Sequence, residues 1–463
     1  METSNPTFTT PFNIPVFSDL HFNPFFDPSL FSRLFNSPPE AWQGIFESST
    51  APAVQWGEDT DYPLLRLTLD AVSLNLGTSP VVFYTGDLLG HNFADQFKSL
   101  YSGPGNVDEL MEEFANKTVS FLTEQIRAAA RNLPVLFTMG NCDSYVGLGP
   151  TAEYLSANAA AYRSLLGPMS PGSSIHCGNF DSTFKAGGYY AVDFPEMNLV
   201  IISLNTIAFS TDADKTTAQV VKNELLWFKD QSMAARAAGK RIWLLMHVPP
   251  GVVLSDTAGK INANGLISAN DVSMMWKDAN TNPPIDTQSA FLEIISHMAS
   301  YIDLTLAGHT HMDEYRTMFI SNSLLITPGI TPYFSNNPAF KILNFNSPNG
   351  IWPTNYDALN CDLAAVGDAR KFKPSYTFWK TYVKPSPEEA IDRSLRELTP
   401  ELKTDASRQQ SYRENYYSGH NPPPPTNNAD PVPITDQNWP VFWSGIENLD
   451  REEFVEAAND YPR

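Results

Sequence analysis

The chain has 463 residues, of which 42% are apolar, so it can bury a sizeable core. This length allows one large α/β domain with extensions or two to three smaller domains. Its 51 acidic residues outnumber 30 basic ones, and the formal net charge of -21 would repel nucleic-acid duplexes and anionic membrane surfaces. A small phosphorylated substrate remains compatible with this charge, because bound metal cations would dominate the local potential.

Residues 1–18 contain neither Lys nor Arg and no apolar stretch of signal-peptide length, and no later segment reaches the roughly 18 apolar residues of a membrane span. We therefore expect a soluble chain without a transmembrane segment, cytoplasmic as given unless a targeting segment is missing. The three cysteines, Cys142, Cys177 and Cys361, permit one disulfide but no disulfide framework.

Residues 1–12 are polar and contain Pro, and they are predicted to form a flexible arm. Short runs rich in Leu and β-branched residues then predict buried strands at Ile14–Ser18, Val81–Thr85, Val135–Met139, Leu199–Leu204, Ile242–Met246 and Leu304–Ala307. Helices are predicted near 62–76, 151–166, 217–238 and 288–300, and through Leu110, Phe114, Leu122 and Ile126. Strands that alternate with helices indicate βαβ units and a mainly parallel sheet.

The last third of the chain has a different pattern. A more antiparallel set of strands is predicted at Tyr315–Ile320, Leu324–Thr327 and Ile342–Phe345, followed by helices over 385–418 and Arg451–Tyr461. Prolines between 421 and 433 predict a stiff linker. The long segments 22–58, 143–188 and 251–287 are rich in Pro, Gly, Asn and Ser and are expected to form the walls of a substrate site.

Five short motifs each begin where an apolar run ends. They are Asp19–His21, Gly86–His91, Gly140–Asp143, His247–Pro250 and Gly308–His311. Because ligands bind beyond the carboxyl ends of strands in such sheets, we expect all five motifs to meet at one site. Their carboxylate, imidazole and amide groups form a mixed N/O donor set that suits divalent Zn, Mn or Fe.

Seven potential ligands exceed one tetrahedral site and predict two metals that share a bridge, for which Asp87 is the best candidate. One metal would be completed by Asp19, His21 and His311, and the other by Asn141, His247 and His309. Two metals about 3.5–4 Å apart can hold a hydroxide that attacks phosphorus in line. The leaving oxygen departs on the opposite side, where a general acid would supply its proton.

The order of the five motifs resembles the calcineurin-like metallophosphoesterase superfamily. Further likeness to its acid sphingomyelinase-like phosphodiesterase branch is carried by Phe17–His21, Gly187–Tyr190, Ile201–Thr206 and Lys240–Gly251. The resemblance implies an α/β fold of four layers, with a central β-sandwich flanked by helices, in a catalytic domain over 13–350. A mostly helical C-terminal subdomain over 351–463, with the Pro-rich linker at 421–433, would follow it.

The resemblance also implies a function: a centre of two metals, usually zinc, that cleaves phosphodiester or phosphoanhydride bonds. The expected partner is a small phosphorylated substrate, such as a nucleotide, a phosphodiester or a phospholipid head group. If a targeting segment is missing, the resemblance implies a secreted or lysosomal protein. Carried over by position, it assigns Asp19, His21, Asp87 and His311 to one metal and Asp87, Asn141, His247 and His309 to the other.

The same carry-over makes His91 the catalytic acid or a substrate-side histidine, and it places Asn141 and Cys142 next to the substrate. In the family, the residue after the metal-binding Asn is usually His rather than Cys142. A neutral thiol lacks the charge of an imidazolium. Either His91 therefore protonates the leaving oxygen, or the substrate has a leaving group that needs little protonation, such as the phosphate released from a phosphoanhydride. Asp143 could orient a ligand or cap a loop.

Two alternatives remain open at this point. One is a polyphosphatase or phosphomonoesterase of the same superfamily. The other is a catalytically impaired homologue that binds a phosphorylated ligand, which the loss of an acidic histidine at Cys142 would permit.

Overall fold

The computed structural model describes residues 11–167, 176–211, 218–277, 286–318, 322–346, 350–382, 389–422 and 431–462. Nearly all of the predicted arm and most of the predicted linker lie outside these residues. The strands are β1 (Phe12–Phe17), β2 (Val82–Tyr84), β3 (Val135–Phe137), β4 (Tyr190–Phe194), β5 (Leu199–Ser203), β6 (Arg241–Leu245), β7 (Ile302–Ala307), β8 (Glu314–Met318), β9 (Asn322–Ile326), β10 (Ala339–Phe345), β11 (Asn355–Asn360) and β12 (Lys373–Thr377).

The α-helices are α1 (Phe31–Asn36), α2 (Trp42–Phe46), α3 (Tyr62–Leu74), α4 (Phe93–Leu100), α5 (Val107–Ala129), α6 (Ala152–Leu165), α7 (Phe180–Gly187), α8 (Ala218–Ala237), α9 (Leu254–Ala258), α10 (Thr287–Met298), α11 (Phe378–Tyr382), α12 (Ile391–Thr404), α13 (Ala406–Tyr416), α14 (Trp439–Glu447) and α15 (Arg451–Asn459). Among the described residues, no helix combines the length and apolar character needed to cross a bilayer.

The strands form two six-stranded sheets. The first has the order β12-β11-β10-β1-β2-β3 and the second has the order β4-β5-β6-β7-β9-β8. Pairing is parallel through β1, β2 and β3 and through β5, β6, β7 and β9, and antiparallel elsewhere. The mainly parallel sheet expected from the strand and helix pattern is therefore wrong, whereas the two mixed sheets implied by the resemblance are confirmed.

The two sheets face each other across an apolar core. Trp243 on β6 packs its buried ring 5.9 Å from that of Phe83 on β2 and 5.2 Å from that of Phe345 on β10. Ser203 on β5 donates to the Phe137 carbonyl on β3 at 2.7 Å. These contacts join the two sheets across the core, and the Ser203–Phe137 bond does so at the carboxyl ends of β5 and β3.

Helices cover the outer faces of the sheets. The long helix α5 begins after Asn106, whose side chain accepts a hydrogen bond from Asp108 N at 3.1 Å, and it buries one apolar face that includes Phe114 and Leu122. Near the C-terminus, α12 and α14 pack against β8. The domain boundary at residue 350 stays a prediction, and the strands β11 and β12 beyond it extend the first sheet.

Candidate metal centre

All five motifs lie at the carboxyl ends of strands. Asp19 follows β1, Asp87 follows β2 and Asn141 follows β3, all in the first sheet. His247 follows β6 and His309 follows β7 in the second sheet. The site therefore spans the junction between the facing sheets, and each sheet supplies part of it.

The carboxylate of Asp87 lies at the middle of the cluster. Its Oδ2 is 3.1 Å from Nε2 of His21 and 3.2 Å from Nε2 of His247. These two imidazoles come from different sheets, so Asp87 connects the two halves of the site. This is the position that the sequence predicts for a bridging carboxylate.

The remaining predicted ligands join the same cluster. Oδ1 of Asp19 lies 3.5 Å from Nε2 of His311 and 3.9 Å from Nε2 of His247. Oδ1 of Asn141 lies 2.8 Å from Nδ1 of His309 and 3.1 Å from Nε2 of His247. The structure thus brings all seven predicted ligands together through direct contacts.

Backbone carbonyls orient two of the imidazoles. Nδ1 of His21 lies 3.2 Å from Leu89 O, and Nδ1 of His247 lies 2.6 Å from Thr85 O. A carbonyl only accepts, so each Nδ1 carries a proton and donates it. Each ring then presents Nε2 to Asp87, as histidine ligands of metals do in proteins.

Carboxylates and imidazoles lie side by side in the cluster and shift one another's pKa values. Burial would raise the pKa of Asp87, but the imidazoles of His247 and His21 hold it well below its usual range. Burial alone would lower the pKa of His247, but the Asp87 carboxylate raises it to about 9. Burial and the charge of His247 lower the pKa of His309 to about 4. A divalent cation could replace the protons held between these groups, since metal binding releases protons from its ligands.

Two buried imidazole nitrogens indicate that such a cation fits. Nε2 of His21 and Nδ1 of His311 have no hydrogen-bond partner among the described residues. An unpaired buried polar atom is costly, and a metal ion would satisfy it. The possible donors fall into groups whose atoms lie within 4.8 Å of one another, and Asp87 belongs to two of them, once with His21 and Cys142 and once with Asp19 and His247.

The backbone at the site is strained. Asp19, His21, Asp87, His309 and His311 all have positive φ, at 51, 39, 65, 73 and 63°. Residues other than glycine seldom adopt this region, and such strain concentrates at functional sites. In three of the five motifs this conformation lets the chain turn sharply after its strand and point its side chains into the cluster.

Asp143 holds two of these turns together. Its Oδ2 accepts hydrogen bonds from Gly140 N at 2.8 Å and Asp87 N at 3.2 Å, and its Oδ1 accepts one from Leu88 N at 2.9 Å. Of the two roles left open for Asp143, these contacts are those of a loop clamp that positions Asp87.

His91 lies beside the cluster, held by a residue that the sequence did not single out. Its Nδ1 is 2.7 Å from Oδ1 of Asp59, and its backbone N donates to Oδ2 of Asp59 at 2.6 Å. The ring stacks between His21 and Tyr333, each 4.0 Å away between centroids. The His91 side chain is 19% exposed, against 1% for His21, so a substrate can reach it.

A cavity of about 350 Å³ opens next to His91. Its walls include Phe25, Phe26, Glu58, Asp59 and Tyr333, and the described residues that line it include no Lys or Arg. Segment 22–58, expected to form a substrate wall, supplies much of this lining. Asp59 and Tyr333 were missed because only the folded chain brings them to His91, and no motif surrounds either of them.

Cys142 lies against the bridging carboxylate. Its backbone N donates to Oδ1 of Asp87 at 2.7 Å. Burial raises the pKa of its thiol to about 12, so the metal-free protein holds it neutral and it cannot supply the positive charge of an imidazolium. Cys142, Cys177 and Cys361 are all free thiols, so the disulfide that the sequence permitted is not formed.

A model of the calcineurin-like phosphoesterase family matches residues 12–313. The chain is 24% identical over 312 residues to sphingomyelinase phosphodiesterase C of Dictyostelium discoideum. The aligned region covers 62% of this chain and 59% of that protein. It is 20% identical over 405 residues to sphingomyelin phosphodiesterase of Homo sapiens (82% and 56%). It is 24% identical over 310 residues to endopolyphosphatase of Schizosaccharomyces pombe (58% and 48%). The chain spans roughly half to three fifths of the length of these relatives.

Proposed function

This chain belongs to the calcineurin-like phosphoesterase family, and on that premise we propose that it is a hydrolase of phosphodiester or phosphoanhydride bonds that uses two divalent metal ions. The family uses divalent metals, and the described residues could form a metal site. The observation that carries the proposal is the convergence of seven donors from both sheets, five of them buried, in one cluster centred on Asp87.

One ion would be held by Asp19, His21, Asp87 and His311, and the other by Asp87, Asn141, His247 and His309. Imidazole and carboxylate donors together suit zinc, with manganese or iron as alternatives. When bound, the two cations would polarise the phosphoryl oxygens and activate the attacking water. The chain itself excludes bulk water there, because Asp19, His21 and His247 are fully buried.

His91 supplies the proton for the leaving oxygen. Because Nδ1 of His91 is engaged by Asp59, Nε2 is the ring nitrogen left to donate. Asp59 fixes both the ring and the backbone of His91, and so acts as a positioning residue. A general acid held in this way contributes about 10²–10⁴-fold to the rate when the leaving oxygen is basic.

We expect His91→Ala to slow hydrolysis of an alkyl phosphodiester about 10²–10⁴-fold. Hydrolysis of a p-nitrophenyl diester should change far less, because p-nitrophenolate leaves without a proton. Asp59→Asn should slow the same alkyl substrate by a smaller factor, since the ring remains but its orientation loosens. The measurement is kcat/KM over a series of leaving groups. His297→Ala, an exposed histidine on α10, serves as the control. Equal slowing of good and poor leaving groups would count against the acid role.

The cavity next to His91 bears on the substrate. Carboxylates of Glu58, Asp59 and Asp61 line it, and no Lys or Arg is among its described lining residues, although Arg370 donates from behind the wall to the Val54 carbonyl. A polyphosphate tail there would meet like charge, whereas an uncharged or cationic group would not. This lining favours a phosphodiester over a chain of phosphates.

A polyphosphatase is the second candidate, and Cys142 is the observation that favours it. A stabilised phosphate leaving group needs no imidazolium at this position. An endopolyphosphatase is also among the relatives of the chain, at 24% identity.

The candidates separate in one assay. Protein stripped of metal and then supplied with Zn or Mn is offered bis-p-nitrophenyl phosphate, p-nitrophenyl phosphate, ATP and polyphosphate. We expect metal-dependent turnover of the diester or of ATP to exceed that of the monoester. A clear preference for the monoester contradicts the proposal, and the highest kcat/KM on polyphosphate supports the second candidate. If no substrate is turned over, the protein is a binding homologue.

A further inference from the structure

Cys142 occupies a position from which its sulfur can reach a metal. Its Sγ, an imidazole nitrogen of His21 and a carboxylate oxygen of Asp87 all lie within 4.8 Å of one another. A cation placed among them would lie close to all three atoms, whose bonds to a metal are about 2.0–2.3 Å long. We propose that Cys142 is itself a metal ligand, which rests on the metal centre proposed above.

The backbone fixes Cys142 in this position. Its N donates to Oδ1 of Asp87 at 2.7 Å, and its carbonyl accepts from Ser144 N at 2.8 Å. The preceding Asn141 is tied by a bond from Gly149 N to its carbonyl at 2.8 Å. The thiol is therefore held against the bridging carboxylate by the same turn that presents Asn141.

An independent observation comes from His21. Its ring is completely buried, its Nδ1 is engaged by Leu89 O, and its Nε2 faces Asp87 without a hydrogen bond to any described residue. Nε2 of His21 thus touches the Asp87 carboxylate at 3.1 Å without forming a hydrogen bond, and His21 belongs to the same group of possible ligands as Cys142. A cation bound by both Nε2 of His21 and Sγ of Cys142 would give each of these atoms a metal bond.

The chemistry of this ligand differs from that of the other seven. On binding, the S–H bond of Cys142 breaks, its proton passes to solvent, and its electron pair forms the bond to the metal. A thiolate favours Zn, Co and Cd over Mn and Mg, which prefer oxygen donors. The departure from the family at this position then changes the role of the residue from substrate contact to metal selection.

X-ray absorption on the zinc-loaded full chain tests this directly. We expect a sulfur shell at about 2.3 Å in addition to nitrogen and oxygen at about 2.0–2.1 Å. The sulfur shell should disappear in Cys142→Ser and remain in Cys177→Ser, the matched control at a thiol outside the site. The cobalt-loaded protein should show a thiolate-to-cobalt charge-transfer absorption with the same dependence on Cys142. We also expect Cys142→Ser to lower the ratio of zinc affinity to manganese affinity at least about tenfold. Residues that only support metal ligands already contribute about 10–100-fold to affinity, so a direct ligand should contribute no less.

Metal content, measured in every sample, separates the two proposals. A wild-type chain that takes up no metal contradicts the metal centre itself. A chain that takes up zinc without a sulfur shell, or a sulfur shell that persists in Cys142→Ser, overturns only the role of Cys142. If Cys142→Ser fails to fold, Cys142→His provides a variant with the residue usual in the family, and it too must lose the sulfur shell.

Discussion

Asp87→Asn is expected to abolish hydrolysis and to remove both metal ions together. The carboxylate lies 3.1 Å from His21 Nε2 and 3.2 Å from His247 Nε2, so it contacts ligands of both predicted ions. An amide has the same size but lacks the negative charge that holds two cations close together. Outer-shell partners of metals contribute about 10–100-fold to affinity or activity, so loss of a bridging ligand should exceed a hundredfold.

The measurement is metal content by elemental analysis beside kcat/KM on a phosphodiester. Asp70→Asn is the control, because Asp70 is an exposed carboxylate on α3 that pairs with Arg66 on the same helix. Normal metal content in Asp87→Asn would show that Asp87 is not the bridge, even if activity fell.

Gly140→Ala is expected to cost both stability and metal binding, although it adds only a methyl group. A Cβ on Gly140 would lie 2.0 Å from Oδ1 and 2.2 Å from N of Asp87. The second of these atoms is backbone, and Asp143 clamps it in place through a bond at 3.2 Å. The turn after β2 or the turn after β3 must therefore move, and overpacking of this kind costs about 1–3 kcal/mol or more.

Urea unfolding of the metal-free protein measures the loss of stability. Zinc titration measures the loss of zinc affinity that follows if Asp87 is displaced. Gly44→Ala is the matched control, since a Cβ there meets nothing within 4 Å and Gly44 lies on helix α2. That control should gain about 0.5–1 kcal/mol from higher helix propensity. A Gly140→Ala protein with wild-type stability and zinc affinity would mean that the two turns can separate freely.

The convergence of the predicted ligands in the candidate site could be predicted because its signals are local. Each of the five motifs pairs a ligand residue with the end of an apolar strand, and both are visible within about ten residues of sequence. Asp87, Asn141 and His247 could be placed at one edge before the strands were ordered, because parallel strands present their carboxyl ends together.

The topology was less predictable, because pairing depends on contacts between distant segments. β1 and β10 pair antiparallel with Phe12 opposite Phe345, a partnership that no local pattern encodes. β12 (Lys373–Thr377) was not predicted as a strand, since its sequence is polar, contains Pro374 and is half to fully exposed at the sheet edge.

The same reasoning explains why Asp59 was missed. It precedes helix α3 in a loop with other acidic residues, and nothing there marks it as different from Glu58 or Asp61. Its proposed role arises from two contacts with His91, which lies 32 positions away: 2.7 Å to Nδ1 and 2.6 Å to the backbone N. Functional residues that act through another side chain lack a local signal of their own.

Diffraction from zinc-soaked crystals at the zinc absorption edge tests the central claim most directly. We predict two anomalous peaks about 3.5–4 Å apart, with the Asp87 carboxylate between them. His21 and His311 should contact one peak, and Asn141 and His247 the other. A single peak, or two peaks with Asp87 bound to neither, would contradict the account.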